Sequence, residues 1–254
     1  MRLYYADPAG NITAMVQSPI APGDRVRVAK AILALGRAEQ VGFLTEPILG
    51  GDCRLEMMGG EFCGNAARSL GYLTALTRQE TGVHTLAAEI SGAPAPVPVT
   101  ADLDRGRAWA NMPLPLGVVP TEVAGRTYPT VFCPGICHLI AEQPPEEGFL
   151  AEALAVLSTY SPEAAGVMFL EGDKLTPAVY VRSTDSLVWE SSCGSGSTAC
   201  GWYLAQNAPD GQYTYRFREP GGVIETPVTK ADGAVTRVFM GGPLALSQPV
   251  ELEL

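Results

Sequence analysis

The sequence predicts an α+β fold that is built twice within one chain of 254 residues. Short strand-like runs, bounded by Gly, Pro or Asp, alternate with a few helical segments. Features of the first half return in the same order in the second half, at offsets near half the chain length. Internal repetition of this kind is typical of repeated structural units. We therefore expect two similar, duplicated domains that face each other.

The first half is expected to contain two helices among short strands. One helix is expected over Asp24–Glu39, because Asp24 can cap its start and apolar side chains recur there at helical spacing. The other helix is expected over Ala66–Thr77. The predicted strands are Leu3–Tyr5, Ala14–Val16, Gly42–Leu44 and Arg54–Met58.

The second half repeats these elements. A tight turn that leads into an apolar strand occurs at Pro8–Val16 and again at Cys133–Ala141. A second-half helix is expected at Phe149–Tyr160. The best correspondence is between CGNAARSLGYLTA at 63–75 and CGSGSTACGWYLA at 193–205.

A proline-rich stretch at 112–120 is the predicted crossover between the two halves. We therefore expect an N-terminal domain over residues 1–116 and a C-terminal domain over residues 117–243. A last strand within 244–254 is expected to return to the first domain.

The charge balance excludes several classes of partner. The chain has 27 Asp and Glu against 17 Lys and Arg, with a formal net charge of -10 and a pI near 4.7. Such a chain lacks the basic surface of a nucleic-acid or anionic-membrane binder. No apolar run reaches the ~18–20 residues of a membrane span. No basic stretch followed by an apolar block begins the chain, so we expect a cytoplasmic protein.

Two cysteines have unusual surroundings. Cys63 and Cys193 are each followed by glycine (Gly64 and Gly194) and then by a predicted helix. The first N–H groups of a helix lack intrahelical partners, and the helix dipole is positive there. We therefore expect a lowered thiol pKa at both positions and backbone donors suited to a carboxylate.

Two such turns that face each other predict a two-base reaction at carbon. One thiolate would remove the α-proton of an amino acid, and the other thiol would return a proton to the opposite face. The helix N–H groups would stabilise the charge that moves onto the carboxylate. The sequence shows no lysine motif for pyridoxal phosphate and no metal-ligand cluster, so no cofactor is predicted.

These motifs carry a family resemblance that extends over essentially the whole chain. EFCGNAARS and ESSCGSGSTA resemble the two half-motifs of the diaminopimelate epimerase family of cofactor-independent amino-acid racemases and epimerases. The resemblance also includes the Gly10–Asn11 turn, Gly135 with His138, and the turn at 220–222.

The resemblance implies a diaminopimelate epimerase-like fold, in which each domain is an antiparallel sheet wrapped around a central helix and the substrate lies in the cleft between them. It implies that Cys63 and Cys193 are catalytic and that the enzyme is a homodimer. The substrate contacts that it implies are Asn11, Gly64, Asn65, Gly194 and Ser195.

The chain departs from diaminopimelate epimerase where that enzyme holds the second head group of its substrate. Asp185 and Ser186 stand in place of a Glu-Arg pair, so the guanidinium for a distal carboxylate is missing. That enzyme has asparagines at or near three further positions, where this chain has Met57, Ile136 and Gly166. Diaminopimelate is therefore expected to be a poor substrate.

The EFCGNA motif also resembles the histidine racemases of this family, so histidine is the predicted substrate. An apolar pocket for the ring is expected, with Asp185 or Glu190 taking the substrate ammonium or a side-chain nitrogen. The predicted pocket residues are Met57, Met58, Ile136 and Trp189.

Several alternatives remain open. The chain could epimerise diaminopimelate or racemise another α-amino acid. The phenazine-pathway isomerases that share this fold lack the paired cysteines. A thiol redox or structural protein is an alternative of a different class. Cys53 and Cys200 are interpreted as buried thiols, and Arg68 as a surface or salt-bridge residue.

Overall fold

A computed structural model describes residues 1–160 and 162–253, and within them the fold is α+β with a predominance of strands. Two compact units divide the chain. The first contains Met1–Asn111 and Gly241–Leu254, and the second contains Met112–Met240. No helix in the described part of the chain is long and apolar enough to cross a membrane.

The first unit contains seven strands and two helices before the chain leaves it. The strands are β1 (Arg2–Asp7), β2 (Thr13–Val16), β3 (Gln40–Thr45), β4 (Cys53–Met57), β5 (Val83–Ile90), β6 (Val97–Asp102) and β7 (Arg107–Asn111). The helices are α1 (Arg25–Leu33) and α2 (Gly64–Thr77).

The second unit contains the next strands and two further helices. The strands are β8 (Gly117–Val123), β9 (Arg126–Cys133), β10 (Ile136–Ala141), β11 (Ala164–Glu171), β12 (Lys174–Val181), β13 (Ser186–Trp189), β14 (Gly211–Glu219) and β15 (Gly222–Ala231). The helices are α3 (Glu147–Ser158) and α4 (Gly194–Gln206). The chain then continues through β16 (Ala234–Pro243), β17 (Ala245–Leu246) and β18 (Val250–Glu251).

The sheet of the first unit is mixed. Antiparallel pairs join β1 to β2, β3 to β4, and β5 to β6 and β6 to β7. Parallel pairs join β2 to β3 and β4 to β5. The expectation of a purely antiparallel sheet is therefore wrong, because α1 and α2 carry the chain back to start the next strand in the same direction. The short strands β17 and β18 pair with β1, and Leu254 lies outside the described residues.

The second unit has a mixed sheet as well. Antiparallel pairs join β8 to β9, β9 to β10, β11 to β12, β12 to β13, and β14 to β15. Parallel pairs join β10 to β11, across α3, and β12 to β14, across α4. A helix again separates the two strands of each parallel pair, for the same geometric reason.

The predicted elements of the first unit are confirmed in position, with one exception at a helix end. The four predicted strands and α2 lie where the apolar periodicity places them. However, α1 ends at Leu33 rather than near Glu39. Gly36 adopts φ +66°, a left-handed conformation that ends helices.

In each unit, a glycine of one helix packs closely against a strand. Gly71 follows Cys63 by eight residues, and Gly201 follows Cys193 by the same interval. A Cβ on Gly71 would lie 2.5 Å from Val99 Cγ1, and a Cβ on Gly201 would lie 2.6 Å from Thr226 Cγ2. Small residues at these positions let α2 and α4 pack closely on their sheets.

Replacement of either glycine by alanine tests this packing. We expect Gly71→Ala and Gly201→Ala each to lower the free energy of unfolding by about 1–3 kcal/mol, because the added methyl overpacks a filled interface. Urea denaturation followed by circular dichroism measures the change. Gly23→Ala is the matched control, since a Cβ added at Gly23 would have no neighbour within 4 Å. Equal stabilities for all three variants would contradict the packing argument.

Candidate active site

Cys63 forms the N-cap of α2. Its backbone is extended (φ −132°, ψ 113°), and its Sγ accepts from the N–H of Ala66 at 3.4 Å. The first eight residues of α2, Gly64–Gly71, are all buried, as expected for a helix that enters the centre of a unit, and only its C-terminal end is exposed. The thiol is half-buried at the end of that helix.

A cluster of amide side chains surrounds Cys63. Asn11 adopts a left-handed backbone (φ 57°) after β1, and its Oδ1 lies 4.0 Å from Cys63 Sγ. The same oxygen accepts from Asn65 Nδ2 at 3.4 Å and from Gln40 Nε2. The structure therefore brings together three predicted site residues of the first half and adds Gln40, which the sequence did not single out. The parallel pairing of β2 with β3 explains its position, because it sets Gln40 opposite Thr13.

Arg68 lies inside the first unit, so its interpretation as a surface residue is wrong. Its side chain is fully buried because α2 has no solvent-facing side at this position. Its Nη2 donates to Pro8 O at 2.6 Å, and its Nε donates to Asn65 Oδ1 at 3.1 Å. Its Nη1 donates to three further carbonyl oxygens, of Ala108, Gly242 and Pro243. Arg68 thus fixes the orientation of the Asn65 amide and anchors the turn that carries Asn11.

Cys193 forms the N-cap of α4 with a geometry close to that of Cys63. Its backbone is extended (φ −118°, ψ 96°), and its Sγ accepts from the N–H of Gly196 at 3.4 Å. The Oγ of Ser195 lies 3.6 Å from this sulfur and 3.0 Å from Nε2 of the buried His138. The structure therefore brings His138 into a hydrogen-bonded chain that reaches the thiol through Ser195.

A buried carboxylate lies at the start of α4. Glu219 Oε2 accepts from the backbone N–H of Cys193 at 2.6 Å, and its Oε1 accepts from Ser197 Oγ. The side chain is 7% exposed. The sequence did not identify Glu219, although it directly precedes the Pro220-Gly221-Gly222 turn that belongs to the family resemblance.

The two acidic residues predicted to bind nitrogen lie in different places. Glu190 follows β13 and its negative charge acts on Cys193. Asp185 is exposed at the other end of β13, where its Oδ1 accepts from Tyr180 OH at 2.8 Å. The four residues of β13 lie between Asp185 and Glu190, which sets their Cα atoms roughly 16 Å apart in an extended strand. The structure thus sets Glu190, and not Asp185, beside the Cys193 turn.

Met57 has no place in a substrate pocket, contrary to the prediction. Alternate residues of β4 point towards α2, and Met57 is buried in the apolar core around that helix. Met58 and Trp189 are partly exposed, with 38% and 43% of their surface accessible. Gly166 makes room for an imidazole and is not simply a site where an asparagine has been lost. A Cβ added at Gly166 would lie 2.4 Å from Nδ1 of His138.

The expectation of lowered thiol pKa values is wrong. Burial raises the pKa of Cys63, and it raises the pKa of Cys193 to about 12, with the charges of Glu219 and Glu190 adding to the effect. The N–H groups of Ala66 and Gly196 oppose these shifts without overcoming them. Loss of hydration thus outweighs the helix N-terminus at both thiols. Burial also lowers the pKa of His138 to about 3, so its imidazole is neutral.

The other four cysteines lie in strands or inside a helix rather than at a helix N-terminus, although Cys133 and Cys200 pack in the same apolar cluster as Cys193. Cys53 lies in the core around α2, and Cys200 lies in the core of the second unit. Burial raises the pKa of Cys133 to about 12 and that of Cys137 to about 11. Within the described residues, no three His, Cys, Asp or Glu side chains cluster in a way that could hold a metal ion.

Comparison with known proteins identifies relatives of this chain. Residues 2–248 match the family described as the histidine racemase CntK N-terminal domain. A histidine racemase from Fusobacterium nucleatum subsp. nucleatum is 32% identical over 213 residues, which cover 78% of this chain and 79% of the relative. A histidine racemase from Staphylococcus aureus is 29% identical over 241 residues, which cover 86% of this chain and 85% of the relative.

A solved structure shares the fold. A probable proline racemase from Agrobacterium radiobacter K84, solved with bound carbonate, gives a TM-score of 0.66 at 15% identity, with 99% of this chain and 93% of that chain covered. Together with the sequence relatives, this defines an isomerase of the amino-acid racemase class. The chain belongs to the histidine racemase CntK family. The family resemblance predicted from the two Cys-Gly motifs is thereby confirmed.

Substitution of the buried Arg68 tests the network behind Asn11 and Asn65. We expect Arg68→Met to lower the free energy of unfolding by about 3 kcal/mol, because it leaves buried carbonyl groups without donors. Arg78→Met is the control at the exposed end of the same helix, where Arg78 pairs with Asp52, and should cost less than about 1 kcal/mol. Denaturant titration of both variants gives the comparison. A loss at position 68 no larger than at position 78 would contradict the anchoring role.

Proposed function

We propose that this chain is a cofactor-independent histidine racemase that inverts Cα with two thiols, Cys63 and Cys193. One observation carries the proposal: each unit presents a cysteine as the N-cap of a buried helix, and its sulfur accepts from the N–H three residues later. Two relatives that bear the name histidine racemase support histidine as the substrate.

The reaction removes one proton from Cα and adds another proton to its opposite face. In the proposed reaction, one thiol acts on each face of the same Cα. The thiolate on one side takes the α-proton, and the C–H electron pair moves into the carboxylate to give an enediolate-like species. The thiol on the other side gives its proton to the opposite face and becomes the thiolate. One S–H bond forms and one breaks in each turnover, so the protons balance.

The starts of α2 and α4 hold the substrate carboxylate. The N–H groups of Gly64 and Asn65 donate to it from one helix, and those of Gly194 and Ser195 donate from the other. The positive helix ends stabilise the second negative charge of the enediolate. Asn11 adds a side-chain contact, since the donors from Gln40 and Asn65 turn its Oδ1 inward and leave its Nδ2 for the substrate.

The raised thiol pKa values suit this chemistry. A thiolate whose pKa is raised by burial is a stronger base towards a carbon acid than one in water. The same burial reduces the fraction of thiolate in the free enzyme. The substrate ammonium offsets this loss, because a positive charge within a few ångströms favours the ionised thiol.

Two features favour an imidazole over a second amino-acid head group. Trp189 keeps 43% of its surface accessible and stacks on Phe169 with a ring-centroid distance of 5.9 Å, so it offers aromatic surface to a ring. The Asp185–Ser186 segment provides no guanidinium for a distal carboxylate, so diaminopimelate is a poor substrate. Glu190 takes the ammonium or a ring nitrogen in preference to Asp185, whose carboxylate already binds Tyr180.

The two halves arose by duplication. Each unit follows the order of strands, helix, strands, the helix that carries the cysteine, and then further strands. Two strands precede each helix in the first unit and three precede each helix in the second, so the second unit has one additional strand before each of its helices. The matched glycines eight residues after each cysteine support the same origin. The domains are residues 1–116 and 117–243, with the C-terminal residues returning to the first, and the enzyme is a cytoplasmic homodimer.

Serine variants of the two cysteines test the mechanism. Cys63→Ser and Cys193→Ser should each reduce the racemisation of histidine by about 100- to 10,000-fold, because the hydroxyl is a poor base and acid at these positions. The loss of optical activity of L-histidine, followed by circular dichroism in fresh reductant, measures the rate. Cys53→Ser is the matched control and should retain the wild-type rate, because Cys53 lies beside Thr74, towards the C-terminal end of α2 and away from the turn that Cys63 caps.

The alternatives give different outcomes in the same assay. Full activity in either serine variant would contradict the two-base mechanism and favour a redox or structural role for the thiols. A wild-type enzyme that leaves histidine unchanged but epimerises diaminopimelate would retain the mechanism and overturn the substrate.

A further inference from the structure

Glu219 is placed to act on one of the two thiols. It ends β14, and its carboxylate reaches the first turn of α4 from the neighbouring strand. There it accepts from the Cys193 N–H at 2.6 Å and from Ser197 Oγ, so it binds the residues on either side of the helix start. A carboxylate at a helix N-terminus is favourable for the helix, yet this one is also next to a nucleophilic thiol.

The corresponding surroundings of Cys63 are of a different kind. Its sulfur faces the amides of Asn11, Asn65 and Gln40, which are neutral. The one carboxylate whose charge acts on it belongs to Glu61, which is exposed on the loop before α2. Water screens an exposed charge far more than a buried one. The two thiols thus share a backbone geometry but differ in the charge beside them.

We propose that Glu219 is a positioning residue that fixes Cys193 at the start of α4 and holds it as the thiol in the free enzyme, so that the single negative charge of the active form resides on Cys63. This inference rests on the proposed two-thiol racemase and deepens it. It assigns the acid and the base in the prevailing form: Cys63 abstracts and Cys193 donates. The enantiomer whose α-proton faces Cys63 binds that form directly.

The other groups around Cys193 do not supply the same effect. Glu190 contributes a negative charge from the loop after β13, but its side chain is half-exposed. Ser195, from α4 itself, favours the thiolate by hydrogen bonding, and His138 behind it on β10 is neutral because burial lowers its pKa to about 3. Cys200, further along α4, is itself a buried thiol with a raised pKa. Glu219 is therefore the main charged group that keeps the proton on Cys193.

The test is the pH dependence of alkylation at each thiol. Wild-type enzyme and the Glu219→Gln variant are treated with iodoacetamide between pH 6 and pH 11, and peptide mass spectrometry gives the rate at Cys63 and at Cys193 separately. In the wild type, the midpoint for Cys193 should lie above that for Cys63, so that Cys193 is still alkylated slowly at pH 11. In Glu219→Gln it should fall by about one pH unit, so that alkylation of Cys193 at pH 8 becomes about tenfold faster, because a neighbouring carboxylate shifts a pKa by one unit or more. The Cys63 profile should not change.

Two controls separate charge from structure. Glu225→Gln removes another buried carboxylate of the same sheet, one that pairs with Arg216 at 3.1 Å, and should leave both profiles unchanged. Glu219→Asp keeps the charge and should keep the Cys193 midpoint close to the wild-type value. The alkaline limb of kcat/KM should move to lower pH in Glu219→Gln, in parallel with the alkylation midpoint.

Three results would overturn the inference. One is a wild-type midpoint for Cys193 that lies at or below the midpoint for Cys63. This comparison needs only the wild-type enzyme, so it does not depend on whether the glutamine variant folds. Another is an unchanged Cys193 midpoint in folded Glu219→Gln. The third is an equal shift in Glu219→Asp, which would show that geometry and not charge sets the value. None of these readouts depends on activity, so failure here is distinguishable from failure of the two-base mechanism, which the serine variants report.

Discussion

The structure depends on one constraint: the first turn of a helix that starts inside the protein must find acceptors for its N–H groups. In α2 and α4 a cysteine sulfur provides one acceptor, with Ala66 and Gly196 as the donors. A serine or aspartate would make a stronger cap, so the use of a weak sulfur acceptor indicates that the cap position is needed for chemistry. In the proposed reaction, the N–H groups of the same turn also bind the substrate carboxylate. The proposal thus joins capping, substrate binding and catalysis at the same few atoms.

Burial of these helices has a second consequence, which concerns protons. The place that offers backbone donors to an anion is also dry, and the thiol pKa values rise because water is lost. Each unit surrounds its sulfur with a different set of polar groups. In the first unit Arg68 and a set of amides order the turn, and in the second Glu219 and the pair of Ser195 and His138 surround the sulfur. Similar backbones therefore carry thiols of different acidity.

The sequence predicted the secondary structure, the two helix N-termini and the family, because each of these depends on local patterns. Strand and helix positions follow from the spacing of apolar residues, and the two Cys-Gly turns are contiguous motifs. It missed Gln40 and Glu219, which reach the turns from strands that are distant in sequence and carry no motif of their own. It also misjudged Arg68, since the first turns of α2 have no exposed face to show which residues point inward. It misjudged Met57 because the alternation of β4 turns that side chain into the core. The predicted direction of the thiol pKa shifts was wrong for a related reason. A sequence motif locates the N-terminus of a helix but does not show how much water reaches it.

The central claim is that a single Cα is deprotonated and reprotonated on opposite faces by side chains of this chain. The most direct test is the incubation of L-histidine with the enzyme in deuterium oxide, followed by circular dichroism and mass spectrometry of the same sample. The account predicts that the optical signal decays to zero and that the D-histidine formed carries deuterium at Cα from the first turnovers. D-Histidine that forms without deuterium at Cα, or a signal that does not decay, would contradict it.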